Sequence, residues 1–119
     1  MTDNRGMIDL DKLENSFELI GINRIPAFID IYLRSTHNFL QLFDKYYQKK
    51  SNKKLLNLIH KTNGSTANFF SEDMDEILSL FERKITDDIE TITQEEITQL
   101  KSRFTQFCQE LVTLKSRYL

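Results

Sequence analysis

Tryptophan is absent from this 119-residue chain, cysteine and proline occur once each, and glycine only three times. A β-rich fold needs many tight turns, and tight turns draw heavily on glycine and proline. So few of either point to long helices joined by short connections. The lone Cys108 excludes an internal disulfide framework and a cysteine-rich zinc site, and it fits a reducing compartment. No segment approaches the ~20 apolar residues needed to span a bilayer. The opening residues, MTDNRGMIDLDK, carry neither an apolar run nor a cleavage pattern. A cytoplasmic protein with no membrane association is the expectation.

An excess of positive charge is lacking too. Sixteen basic residues against 18 acidic ones leave a formal net charge of -2. Domains that bind nucleic acid are usually basic, so a DNA or RNA partner is disfavoured. With 39% hydrophobic and 29% charged residues, the composition is that of an ordered globular protein and not of a disordered one. The length suits one core, so a single domain over residues 1–119 is expected.

What is present is helical periodicity. Leu10, Leu13, Phe17 and Ile20 recur at helical spacing from Asp9 to Ile20, and Gly21 is placed to stop that helix. A second helix is predicted from Arg24 to Tyr47, with Pro26 tolerated in its first turn. Its apolar residues cover more than half the circumference, which implies contact with the core on one side and the first helix on another. KKSNKK, Lys49 to Lys54, is the next break, with Ser51 or Asn52 as the candidate cap. A third helix then carries Leu55, Leu58, Ile59, Thr62, Thr66 and Phe69.

Ser71 is placed to cap a fourth helix whose first turn holds Glu72, Asp73 and Asp75, favourable at the positive end of the helix dipole. Met74, Ile77, Leu78, Phe81 and Ile85 form its apolar face, and TDDIETI, Thr86 to Ile92, is the connection that follows. Thr93 with Glu96 reads as a capping box. Beyond it Ile97, Leu100, Phe104, Phe107, Leu111, Leu114 and Tyr118 alternate in steps of three and four, a seam suited to bundle packing. The sum is a four-helix bundle with a short N-terminal helix beside it.

One stretch of the third helix is unusual. IHKTNGSTANFF, Ile59 to Phe70, places a glycine inside a helix, where it costs about 1 kcal/mol relative to alanine. At roughly 100° per residue, the apolar residues of this helix cluster within about 100° of one another, and His60 points roughly 140° from their centre. His60 therefore faces water, and Gly64 shares its face one turn on. The missing side chain leaves room for something bulky to approach the imidazole. An exposed imidazole is partly neutral at pH 7 and can act as a nucleophile. His37 also points outward, but no glycine lies one turn beyond it, and no role is assigned to it. Most exposed histidines on helices are only surface residues, so geometry alone leaves both readings open.

His60, Gly64, Ser65, Thr66, Ala67, Asn68 and Phe69 resemble the signature of histidine-containing phosphotransfer (HPt) domains, in which a helix carries a motif like H-x-x-K-G-S-S-A-x-[FL]-G. The run IGINRIPAFIDIYL, Ile20 to Leu33, is similar to the corresponding segment of LuxU-like stand-alone HPt proteins. Together with the helix order, the likeness covers most of the chain. It implies an all-α, four-helix up-down bundle and a monomeric phosphocarrier with no kinase activity of its own. His60 would accept a phosphoryl group on Nε2 from a receiver-domain aspartate and pass it on, with Gly64 as the clearance residue. A response-regulator receiver domain and a hybrid sensor kinase would be the partners. The receiver would bring Mg²⁺, and the chain itself would hold no cofactor or metal.

Two positions depart from that motif. Asn63 stands where the family usually has lysine, so a hydrogen-bond donor replaces a charge beside the phosphoryl group. Lys61 lies about 100° round the helix from His60 and cannot substitute. Lys53, two turns earlier, is the better candidate for an electrostatic role. Phe70 stands where the family often closes the helix with glycine. A docking surface for the receiver is sought around Leu13, Phe17, Ile29, Leu33, Lys53, Leu56 and Ala67, although several of these could instead seal the first helix onto the bundle. The alternatives are a degenerate HPt-like module that docks a receiver or kinase without taking phosphate, and a plain helical adaptor.

Overall fold

Polar side chains that bond to the backbone mark several of the helix boundaries. The structure is a computed structural model that describes residues 6–119. Residues 1–5, part of the opening stretch read above for a leader, lie outside the described residues. The described residues form six α-helices and no strand: α1 Leu10–Ser16, α2 Ile25–Thr36, α3 Phe39–Gln48, α4 Asn52–Thr66, α5 Glu72–Asp88 and α6 Gln94–Arg117. Short 3-10 turns lie at Ile22–Arg24, Ala67–Phe69 and Ile89–Thr91. None of the helices is long and apolar enough to cross a membrane.

The caps read from the sequence are largely present. The Ser71 hydroxyl accepts from the Met74 amide, and Thr93 and Glu96 satisfy one another's amides in a complete capping box. At the start of α4, Ser51 holds the cap position but its side chain makes no capping bond.

Three boundaries differ from expectation. The predicted Arg24–Tyr47 helix is two helices, broken at His37 and Asn38. Ser35 and Thr36 both donate to the Tyr32 carbonyl, and His37 Nδ1 lies 2.9 Å from the Arg34 carbonyl. Side chains thus claim backbone groups at that point and favour a break. The first helix ends at Ser16, whose hydroxyl bonds the Leu13 carbonyl, and Ile20 is 63% exposed instead of buried. In the TDDIETI segment, α5 runs on to Asp88, and the 3-10 turn with Ile92 and the cap Thr93 separates it from α6.

Packing places α4 at the middle of the bundle, against α2, α3 and α5, while α6 packs on α2 and α5. Two aromatic groups set its position. Phe28, Tyr32 and Phe107 surround Phe69 with ring centroids 5.1–6.0 Å apart, and Phe17 packs on Phe28. Phe39, Phe43, Phe81 and Phe104 form the second group. Phe69 is fully buried, and truncating such a ring costs about 3–5 kcal/mol. The α6 seam from Ile97 to Leu114 is buried throughout, as its spacing predicts.

Candidate functional site

The apolar side of α4 fixes where its polar side points. Leu55, Ile59, Thr62 and Thr66 are buried. Thr66 donates its hydroxyl proton to the Thr62 carbonyl, so the buried Tyr32 hydroxyl, 2.7 Å away, donates to Thr66. These contacts set the rotation of α4 about its axis. The His60 side chain is consequently 77% exposed, as the helical wheel requires.

His60 is not free to rotate, however. Its Nδ1 lies 2.9 Å from Glu82 Oε2 on α5. The other Glu82 oxygen accepts from the Asn63 amide at 3.2 Å, and that amide also reaches the Ser79 hydroxyl at 3.5 Å. The His60 hydrogen bond, followed by that from Asn63, holds the Glu82 carboxyl below its ordinary value of 4.5 despite partial burial. An ionised carboxylate can only accept, so Nδ1 carries the proton. In the neutral ring the lone pair then belongs to Nε2, on the edge of the imidazole away from Glu82.

Gly64 is unusual for what it does not touch. A Cβ built there meets nothing within 4 Å, and its backbone is ordinary right-handed helix. Neither internal packing nor conformation calls for glycine at this position. The clearance reading thus concerns a body outside the chain. His60, Asn63, Gly64 and Ala67 line one side of an open groove, and Ser79, Glu82 and Arg83 of α5 line the facing side.

The other residues singled out in the sequence separate clearly. Leu13, Phe17 and Ile29 are buried and cannot offer a docking surface, because they seal α1 and α2 into the core. Leu33 and Leu56 are half-buried against that core, while Lys53 is exposed. Lys53 and Lys61 do not line the groove, whereas Ala67 does. Phe70 adopts the left-handed conformation, φ 56° and ψ 54°, in which glycine commonly ends helices. Its carbonyl accepts from the Asp9 amide, which ties the start of α1 to the end of this segment. Phe70 thus keeps a glycine-like backbone with a non-glycine side chain. Burial pushes the Cys108 thiol up to about 11, so it is an unreactive, partly buried side chain at neutral pH.

Glu82, Ser79 and Arg83 escaped the sequence reading. Ser79, Glu82, Arg83 and Thr86 do follow helical spacing beside the apolar face of α5, but only the register of two helices reveals which residues they meet. Among the described residues, no cluster of three or more histidine, cysteine or acidic side chains is arranged to hold a metal ion. No family model, no curated protein and no solved structure matches the chain.

Proposed function

We propose that this chain is a histidine phosphotransfer protein that carries a phosphoryl group between receiver-domain aspartates on His60. The observation that carries the reading is the pairing of His60 Nδ1 with Glu82, which leaves Nε2 as an exposed nucleophile beside a glycine the chain itself does not need. On this reading the bundle is HPt-like: α2 with α3, α4, α5 and α6 form the four rods, and α1 lies beside them.

In the forward step the Nε2 lone pair attacks phosphorus, the bond from phosphorus to the aspartyl oxygen breaks, and the carboxylate leaves with that electron pair. The ring gains positive charge, and Glu82 stabilises it through the Nδ1 proton that it already accepts. The reverse step delivers the phosphoryl group to a second aspartate. Docking brings the receiver's acidic pocket and its Mg²⁺ to the groove. Lys53 and its neighbours Lys49, Lys50 and Lys54 favour encounter with an acidic partner.

A second reading has one observation in its favour. The groove also presents Asp75 and Asp87, and Asn63 brings no charge, so acidic side chains outnumber Arg83, the one cation lining it among the described residues. A degenerate module that docks without taking phosphate would tolerate this. Incubation with a phosphorylated receiver domain separates the two. Acid-labile phosphate should appear on the wild type and not on His60→Ala. No transfer from several receivers that nonetheless bind would leave only the docking module.

A further inference from the structure

A phosphoryl group on His60 Nε2 would bring about two negative charges into a groove that already contains Asp75, Glu82 and Asp87. The Asn63 amide, at the position where the motif has lysine, is engaged with Glu82 and Ser79 and points its donors at them. Two further cations of α5 and α6 are engaged with acidic partners. Lys84 is held by Glu96 and by the Thr91 carbonyl, and Arg103 by Glu76 and the Asp73 carbonyl. Arg83 is different. It lines the groove, is exposed, and makes no hydrogen bond or ion pair with any described residue, not even with Asp87 one turn along α5. It directly follows Glu82, so the helix that orients the imidazole also carries the free guanidinium.

Building on the phosphotransfer reading, we propose that Arg83 is the cation that binds the phosphoryl group on His60, supplied across the groove from α5. A guanidinium suits this task because its planar donors can engage two phosphoryl oxygens at once, and it remains charged at any working pH. Its freedom in the unmodified protein follows from the same assignment, since its partner arrives only with the phosphoryl group. The division of labour is then complete: His60 attacks, Glu82 holds Nδ1, Asn63 holds Glu82, and Arg83 neutralises the transferred charge.

The test uses the full chain with His37→Gln, which leaves His60 as the single histidine, and potassium phosphoramidate as a donor that needs no protein partner. Arg83→Gln and Arg83→Lys are compared with Lys61→Gln, a neighbouring cation outside the groove. Phosphohistidine formation is followed by ³¹P NMR, and the ³¹P shift is then titrated with pH. Arg83→Gln should slow phosphoryl uptake roughly tenfold and raise the phosphoryl group's own titration midpoint by about half a unit or more. Arg83→Lys should restore much of both, and Lys61→Gln should change neither. A purely structural role would leave the midpoint alone, and circular dichroism checks that the fold is kept. If wild type and Arg83→Gln take up phosphate equally and titrate together, the assignment of Arg83 is wrong while the carrier reading stands. If His60 takes no phosphoryl group at all, both fail.

Discussion

Replacing Gly64 with alanine should make the protein more stable and a poorer phosphoryl carrier. The stability gain follows from the structure. The position is helical, and the added Cβ meets nothing within 4 Å, so neither strain nor new packing enters. What remains is the helix propensity difference, about 0.5–1 kcal/mol this close to the end of α4. For a chain of this length that raises the melting temperature by about 2–4 °C. Transfer should move the other way. The new methyl group stands on the rim of the groove, on the face His60 shares, where a receiver would approach on the proposed function. Displacement of the reacting atoms by even ~1 Å can cost on the order of a hundredfold. Thermal unfolding followed by circular dichroism gives the first quantity, and rapid-quench transfer from a phosphorylated receiver gives the second. Gly64→Ser should follow Gly64→Ala in transfer. A stabilised Gly64→Ala protein that accepts phosphate at the wild-type rate would refute the idea that this glycine exists for clearance.

Acid should weaken the fold partly through two depressed carboxyls. Glu82 is lowered first by its bond from His60, and Glu96 first by its bond from Lys84. Because the folded values lie below the ordinary 4.5, the unfolded chain binds these protons first, so stability is present above about pH 4.5 and is lost as pH falls through the folded values. Urea unfolding between pH 6 and pH 3 should show that slope, and Glu82→Gln and Glu96→Gln should each flatten it; unchanged slopes would exclude the two pairs as its source. At position 70, glycine should be more stable than alanine by about 1 kcal/mol, the reverse of their order within a helix. Both variants lose the half-buried ring, but only alanine keeps the cost of the left-handed backbone, and equal denaturation midpoints would show that the backbone relaxes there.

How far the sequence could be read depended on whether a feature was local. The Thr93–Glu96 capping box, the Ser71 cap and the α6 seam each rest on residues within one helix, and all three are present. The outward aspect of His60 likewise needs only the period of one helix. The break at His37 and Asn38 was hidden because a wide apolar stripe fits either one helix with two contacts or two helices in different settings. Its local signal was the Ser-Thr-His run, whose side chains bond to backbone carbonyls. Leu13, Phe17 and Ile29 show the opposite failure. Their periodicity was right, but periodicity does not distinguish an apolar face turned to the core from one offered to a partner. Glu82 could not be found at all from one helix, since 22 residues separate it from His60 and only the packing of α5 on α4 joins them.

That same packing changes the meaning of Asn63. Taken alone, the position carries no charge where the motif it resembles has lysine. In the folded chain its amide steadies the carboxylate that steadies the imidazole, which a lysine could do only by pairing its charge with Glu82 instead of with a phosphoryl group. A cation placed at residue 63 would thus be drawn to the carboxylate before any phosphoryl group arrived. If His60 carries a phosphoryl group as proposed, a glutamate partner for Nδ1 favours a neutralising charge on the far side of the groove, on a side chain that no described residue holds. Arg83 lines that side of the groove, so the proposed assignment rests on the pairing of Glu82 with His60 as much as on the absence of a lysine at residue 63.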